Sequence, residues 1–156
     1  MAVIMVAIDG SEGAIAALKQ AADAAEAGRS RLVVLTVEPR NPVFHEPNAQ
    51  REQIADYARS EHLPGGEAEA RGIIAEDILA EARRVLHPKA RIGTLYVTRT
   101  GDPAGEIVSC ARDYEADTIY LGSRGLGLVG EILLGSVSGR VKSLASCEVV
   151  VVARPH

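Results

Sequence analysis

Residues 2–8 read Ala-Val-Ile-Met-Val-Ala-Ile, apolar at every position, and Asp9-Gly10 ends the run. A strand of this kind has no face to offer water. It belongs in the middle of a sheet that is covered on both sides, which excludes a sheet with one solvated face. The rest of the chain has to supply the covers.

It does so by alternation. Ser11 is placed to cap a helix, because its hydroxyl can accept an amide of the first turn. That helix is expected to reach about Ala27, with Ile15, Leu18 and Ala22 on one face and Gly28 closing it in a left-handed conformation. Leu32 to Val37 is a second apolar, β-branched run and reads as strand. Pro39 to Pro64 breaks the pattern with Pro42, Pro47, Asn41 and Asn48, and reads as a surface excursion holding a short helix near Gln50 to Ser60. Excursions of this length usually cover a site or connect elements. Glu67 to Leu86 is helical by its spacing of Ile74, Ile78, Leu79, Ala82 and Leu86, and Pro88 stops it. Ile92 to Val97 is a third strand. Asp102 and Pro103 open another helix as N-cap and first helical residue, with Ile107, Cys110, Ala111 and Tyr114 inward. Thr118 to Leu121 is a fourth strand, Ser136 to Ser146 a last helix, and Val149 to Val152 a last strand.

Strands alternating with helices predict an α/β fold: an open, five-stranded parallel sheet with helices on both faces, in one domain over residues 1–156 with an excursion at about 39–66. Ligands of such sheets bind at the carboxyl ends of the strands, where strand order reverses. The positions to inspect are therefore Asp9, Val37 with Glu38, Thr98 to Gly101, and Gly122 to Gly135.

The most informative of these is Gly122-Ser123-Arg124-Gly125, nine residues, then Gly135-Ser136-Val137-Ser138, lying between a strand and a helix. Glycines allow close backbone approach. A helix N-terminus offers outward amides and the positive end of its dipole, which suit phosphate oxygens. Ser136 and Ser138 add hydroxyls, and Arg124 a fork of donors. On loop chemistry alone, a flexible loop with Ser136 as a plain N-cap fits equally well.

Rival motifs are weaker. Gly125 to Gly130 matches G-x-G-x-x-G, but a dinucleotide site places that motif after the first strand, not before the last. No Walker lysine is present, so phosphate charge would have to be met by amides, a metal ion and Arg124. His45, His62, His87 and His156 are scattered and read as solvated side chains. Glu67, Glu69, Glu76, Asp77 and Glu81 read as a solvated helix face rather than a paired-carboxylate centre. A net charge of -4 and 3% aromatic residues give no footing for nucleic acid. No segment reads as a signal peptide or a membrane span. Cys110 and Cys147 form no CxxC pair and read as reduced thiols of a cytoplasmic protein.

Gly-x-x-Gly, nine residues, then Gly-Ser resembles the ATP-binding signature of the universal stress protein family. Ile4 to Ser11 is similar to the family's first strand and turn, and Gly101-Asp102-Pro103 through Gly122 to its third helix and fourth strand. The likeness covers nearly the whole chain, least clearly Arg40 to Gly66. Where members often carry Cys-Pro before the last strand, this chain has Cys147-Glu148.

The resemblance implies a Rossmann-like fold of the adenine nucleotide alpha hydrolase type and a cytoplasmic stress-response protein that binds ATP with Mg²⁺. Ala7 would line the pocket, Asp9 would lie near the ribose or the metal and phosphates, and Val37 would contact adenine. Leu121, Gly122, Arg124 and Gly125 would border ribose and phosphates, and Gly135, Ser136, Val137 and Ser138 would bind phosphates. No catalytic residue is assigned, because neither an evident base nor an arginine finger stands in the loop. The resemblance also implies a homodimer pairing through Val149 to Val152. Two other readings stay open: a metal-dependent ATPase or phosphotransferase, and a nucleotide-independent interaction dimer.

Overall fold

The computed structural model describes residues 1–39, 48–87, 93–123 and 136–153. In chain order the elements are β1 (Val3–Ala7), α1 (Glu12–Gly28), β2 (Arg31–Pro39), α2 (Asn48–Ser60), α3 (Gly66–Leu86), β3 (Thr94–Gly101), α4 (Pro103–Asp113), β4 (Thr118–Gly122), α5 (Ser136–Leu144) and β5 (Glu148–Val152). The strands form a parallel sheet in the order β3-β2-β1-β4-β5. β1 is central, as its unbroken apolar run requires.

The pleat of β1 divides the core. Ile4, Val6 and Ile8 face one side with Leu32 and Val34, under α1 and the Leu79, Ala82 and Leu86 stripe of α3. Met5 faces the other with Val33, Leu35, Ile119 and Leu121, under Ala104, Ile107 and Cys110 of α4 and Val141 of α5. A smaller cluster of Ile54, Ala58 and Ala70 joins α2 to the upper part of α3.

The helix starts follow their capping chemistry. Ser11 Oγ accepts from Ala14 N at 3.2 Å, and Asp102 Oδ2 accepts from Gly105 N at 2.9 Å with Pro103 in the first turn. The end of α1 differs from expectation. Gly28 is still helical, and Arg29 takes the left-handed conformation at φ 51°, its amide returning to Ala25 and Glu26.

The second and third strands run further than their apolar runs. Val37 is in β2 as its run predicts, the strand continues through Glu38 to Pro39, and Thr98 to Gly101 lie inside β3, because the two strands pair as far as Pro39 with Gly101. β3 is an edge strand, so polar residues along it are tolerated where composition suggested a loop.

Candidate functional site

The strand order reverses between β1 and β4. From β1 the chain turns to β2 and β3 on one side, then crosses to β4 and β5 on the other. α1 and α3 cover one face and α4 and α5 the other, so the helices part above the carboxyl ends of these strands. A cleft opens there, enclosing about 1080 Å³ together with its open mouth.

Its floor comes from strand ends: Ala7 at the end of β1 with Ile8 and Asp9 after it, Thr36, Val37 and Glu38 in β2, and Leu121 with Gly122 in β4. The floor is pinned by hydrogen bonds. Ile8 N donates to Leu35 O at 2.8 Å, and Thr36 Oγ1 donates to Ile8 O at 2.9 Å within the core. The turn after β1 is held by Asp9 Oδ1, which accepts from Ser11 N at 3.0 Å, while Gly10 takes φ 85°. That positive φ is where a glycine is needed.

One wall is α5. Val137 lines the cleft and Ser138 is buried in it, so the first turn of this helix faces the cavity. The first amides of a helix have no earlier carbonyl within it, which is why helix starts suit anions. Pro103 and Ile107 of α4 stand beside it. Asp102, the cap of α4, also accepts from Arg140 of α5 at 2.9 Å, tying the start of α4 to the middle of α5.

The opposite wall is built by α3, with one residue of α2 from the excursion. Ile54 of α2 and Ile74, Ala75 and Ile78 of α3 make it apolar, and Arg71 adds a cation. A Cβ on Gly10 would stand 3.4 Å from Ile78, so α3 packs down onto the turn after β1.

Of the residues singled out by sequence, Ala7, Asp9, Val37, Leu121, Gly122, Val137 and Ser138 come together in this one cleft. Ser136 is the first residue of α5. Arg124, Gly125 and Gly135 lie outside the described residues. Sequence reasoning did not single out the wall residues Ile54, Arg71, Ile74, Ala75 and Ile78 for the site. A signal for the wall existed. Glu67 to Leu86 spans about 30 Å as a helix, against about 20 Å for a six-residue strand, so the helix had to overshoot the sheet.

Away from the cleft, Glu67, Glu69, Glu76, Asp77 and Glu81 are exposed, as are His62 and His87. His45 and His156 lie outside the described residues. Cys110 is buried and Cys147 half-buried, neither in a disulfide, and burial pushes both thiols up. No described helix is long and apolar enough to cross a membrane.

The model of the Universal stress protein family matches residues 1–153. A universal stress protein of Thermus aquaticus is 32% identical over 155 residues, covering 96% of both chains. Among solved structures, a universal stress protein in complex with cAMP superposes with a TM-score of 0.66 at 21% identity, over 99% of this chain and 98% of that one. The universal stress protein from Archaeoglobus fulgidus in complex with dAMP gives a TM-score of 0.64 at 20% identity, over 97% and 98%. At those identities the structures speak for the fold, while the family match rests on sequence over almost the full length. The chain belongs to the universal stress protein family.

Proposed function

We propose that this chain is a stress-response regulatory protein that takes an adenine nucleotide, ATP with Mg²⁺, into the cleft at the strand-order reversal, and turns it over slowly or not at all. The observation that carries the reading is the placement of Val137 and buried Ser138, which turn the start of α5 into the cavity at the point where the glycine motif ends. Amides and hydroxyls there receive the phosphates. Val37 and the apolar wall of α2 and α3 receive the base, and Asp9 stands between, within reach of ribose or metal. The two adenine-nucleotide complexes among the similar structures support the same class of ligand.

The described residues hold no cluster of three side chains fit for a metal ion. A magnesium ion here would be carried mainly by phosphate oxygens and water, with Asp9 of the lining as the carboxylate to hold it. The ion would neutralise phosphate charge. Slow turnover is read from the loop motif, where neither an evident base nor an arginine finger stands. The cleft carboxylates, Asp9 and Glu38, are the side chains a hydrolytic reading would have to use.

The family's pairing through the last strand suits this chain as well. β5 stands at a sheet edge with Val149 to Val151 half-buried, and a second copy adding to that edge would cover them. Light scattering reads the mass directly.

The deciding experiment is calorimetric titration with ATP, ADP and AMP in magnesium, alongside phosphate release. Saturable binding with negligible release is the expected result. No binding at millimolar nucleotide overturns the reading. Brisk metal-dependent release that disappears in Asp9→Ala makes the protein an ATPase or phosphotransferase instead.

A further inference from the structure

α3 changes neighbours half-way along its length. Its C-terminal turns, with Leu79, Ala82 and Leu86, belong to the core under β1 and β2. Its N-terminal turns pack instead on Ile54 and Ala58 of α2 through Ala70, with Ile74 beside them. From Ile78 back to Gly66 the helix therefore climbs beyond the sheet, about 18 Å of it at 1.5 Å per residue.

This projecting part gives the cleft two unlike ends. At β4 stand the start of α5, Gly122 and Ser138, which offer amides and a hydroxyl. At β2 stand Val37, Ile54, Ile74 and Ala75, which offer carbon, with one cation, Arg71, set in that apolar wall. The Arg71 side chain retains 11% of its exposure, and its Nη1 lies 3.5 Å from Glu67 Oε2 one turn back. Glu67 remains half exposed on the outer side of the α2–α3 hairpin, so it steadies the guanidinium from behind.

We infer that Arg71 is a base-contacting residue of the cleft, which lays its guanidinium against the heterocycle while the phosphates occupy the far end at α5. The inference rests on the adenine-nucleotide reading above. A guanidinium is flat, always charged and carries donors only. It can stack on a purine face or donate to the ring nitrogens, which are acceptors, and a water-poor wall strengthens either contact. Glu67 is a positioning residue.

The test is a ligand ladder of adenosine, AMP and ATP titrated into wild type, Arg71→Gln and Arg71→Lys. A base contact is common to all three ligands. The expected result is that Arg71→Gln weakens each by the same factor, about five- to tenfold. Arg71→Lys, which keeps the charge and loses the plane, recovers little of it. Melting of the ligand-free proteins guards against a folding defect, and the lysine variant carries the same readout if the glutamine variant is unstable. A loss confined to AMP and ATP makes Arg71 a phosphate ligand and overturns the inference, as does unchanged affinity for all three. If wild type binds none of the ladder, the adenine-nucleotide reading fails and takes this one with it. If wild type binds and both variants match it, only the assignment of Arg71 falls.

Discussion

A Cβ on Gly122 would stand 2.5 Å from the carbonyl carbon of Gly13, so the end of β4 and the first turn of α1 meet backbone to backbone. The contact is reciprocal, since a Cβ on Gly13 would stand 3.0 Å from Ser123 O. The first glycine of the loop motif thus has a packing reason of its own. Backbone on both sides cannot swing away. Gly122→Ala is expected to lose about 3 kcal/mol, the upper end of what overpacking costs. Gly13→Ala should lose about 1 kcal/mol, part of the clash being offset by alanine's better helix propensity. Urea denaturation of the ligand-free variants measures both.

Asp102 works in two directions, capping α4 through Gly105 and pairing with Arg140 of α5. Asp102→Ala removes both and should cost about 1–2 kcal/mol. Asp102→Asn keeps an acceptor for the cap and weakens only the ion pair, which is part-exposed and worth about 0.5 kcal/mol. Equal losses in the two variants would show that the pair outweighs the cap.

Ser138 is buried and lines the cleft at the start of α5. Ser138→Ala is expected to weaken ATP about fivefold, the worth of roughly one hydrogen bond, and to leave adenosine unchanged. Titration with the two ligands reads the difference. Equal weakening of both would place the phosphates elsewhere.

Burial raises the thiols of Cys110 and Cys147, with Arg99 opposing the shift at Cys110. The thiolate is the reactive form. Iodoacetamide should therefore label Cys147, the more open of the two, before Cys110, and Cys110 only as the protein unfolds. The sign of the pH effect follows from proton counting. Past the ordinary thiol value of 9.0 the unfolded chain releases these protons while the folded chain still holds them, so stability falls as pH rises. Thermal melts between pH 8 and pH 10 check the direction, against a double Cys→Ser control.

Much of this was legible because the signals are strong where burial is strong. The run ending at Ile8 could only be a strand buried on both faces, and Ser11 and Asp102 mark helix starts by chemistry that acts within three residues. Signals failed where a distant partner decides. β2 continues past Val37 through Glu38 to Pro39 because β3 continues beside it, and the charge on Arg99 and the lack of apolar side chains at Thr98 and Thr100 masked that extension. Arg29 rather than Gly28 turns left-handed because its amide closes on Ala25 and Glu26. Gly13 hid among alanines, its reason lying across the fold in Gly122. Arg71 hid in a helix with charged neighbours, and only the three-dimensional climb of α3 past the sheet puts it in the cleft.

Because α3 is shared between two clusters of unequal size, the molecule has two tiers of cohesion. Ile54, Ala58 and Ala70 bind the hairpin with little apolar area, whereas the layers beneath the sheet are extensive. Opening the upper tier draws on a fraction of the global free energy. Amides of α2 should accordingly exchange with deuterium long before those of β1, so the wall beside the cleft can loosen while the frame holds.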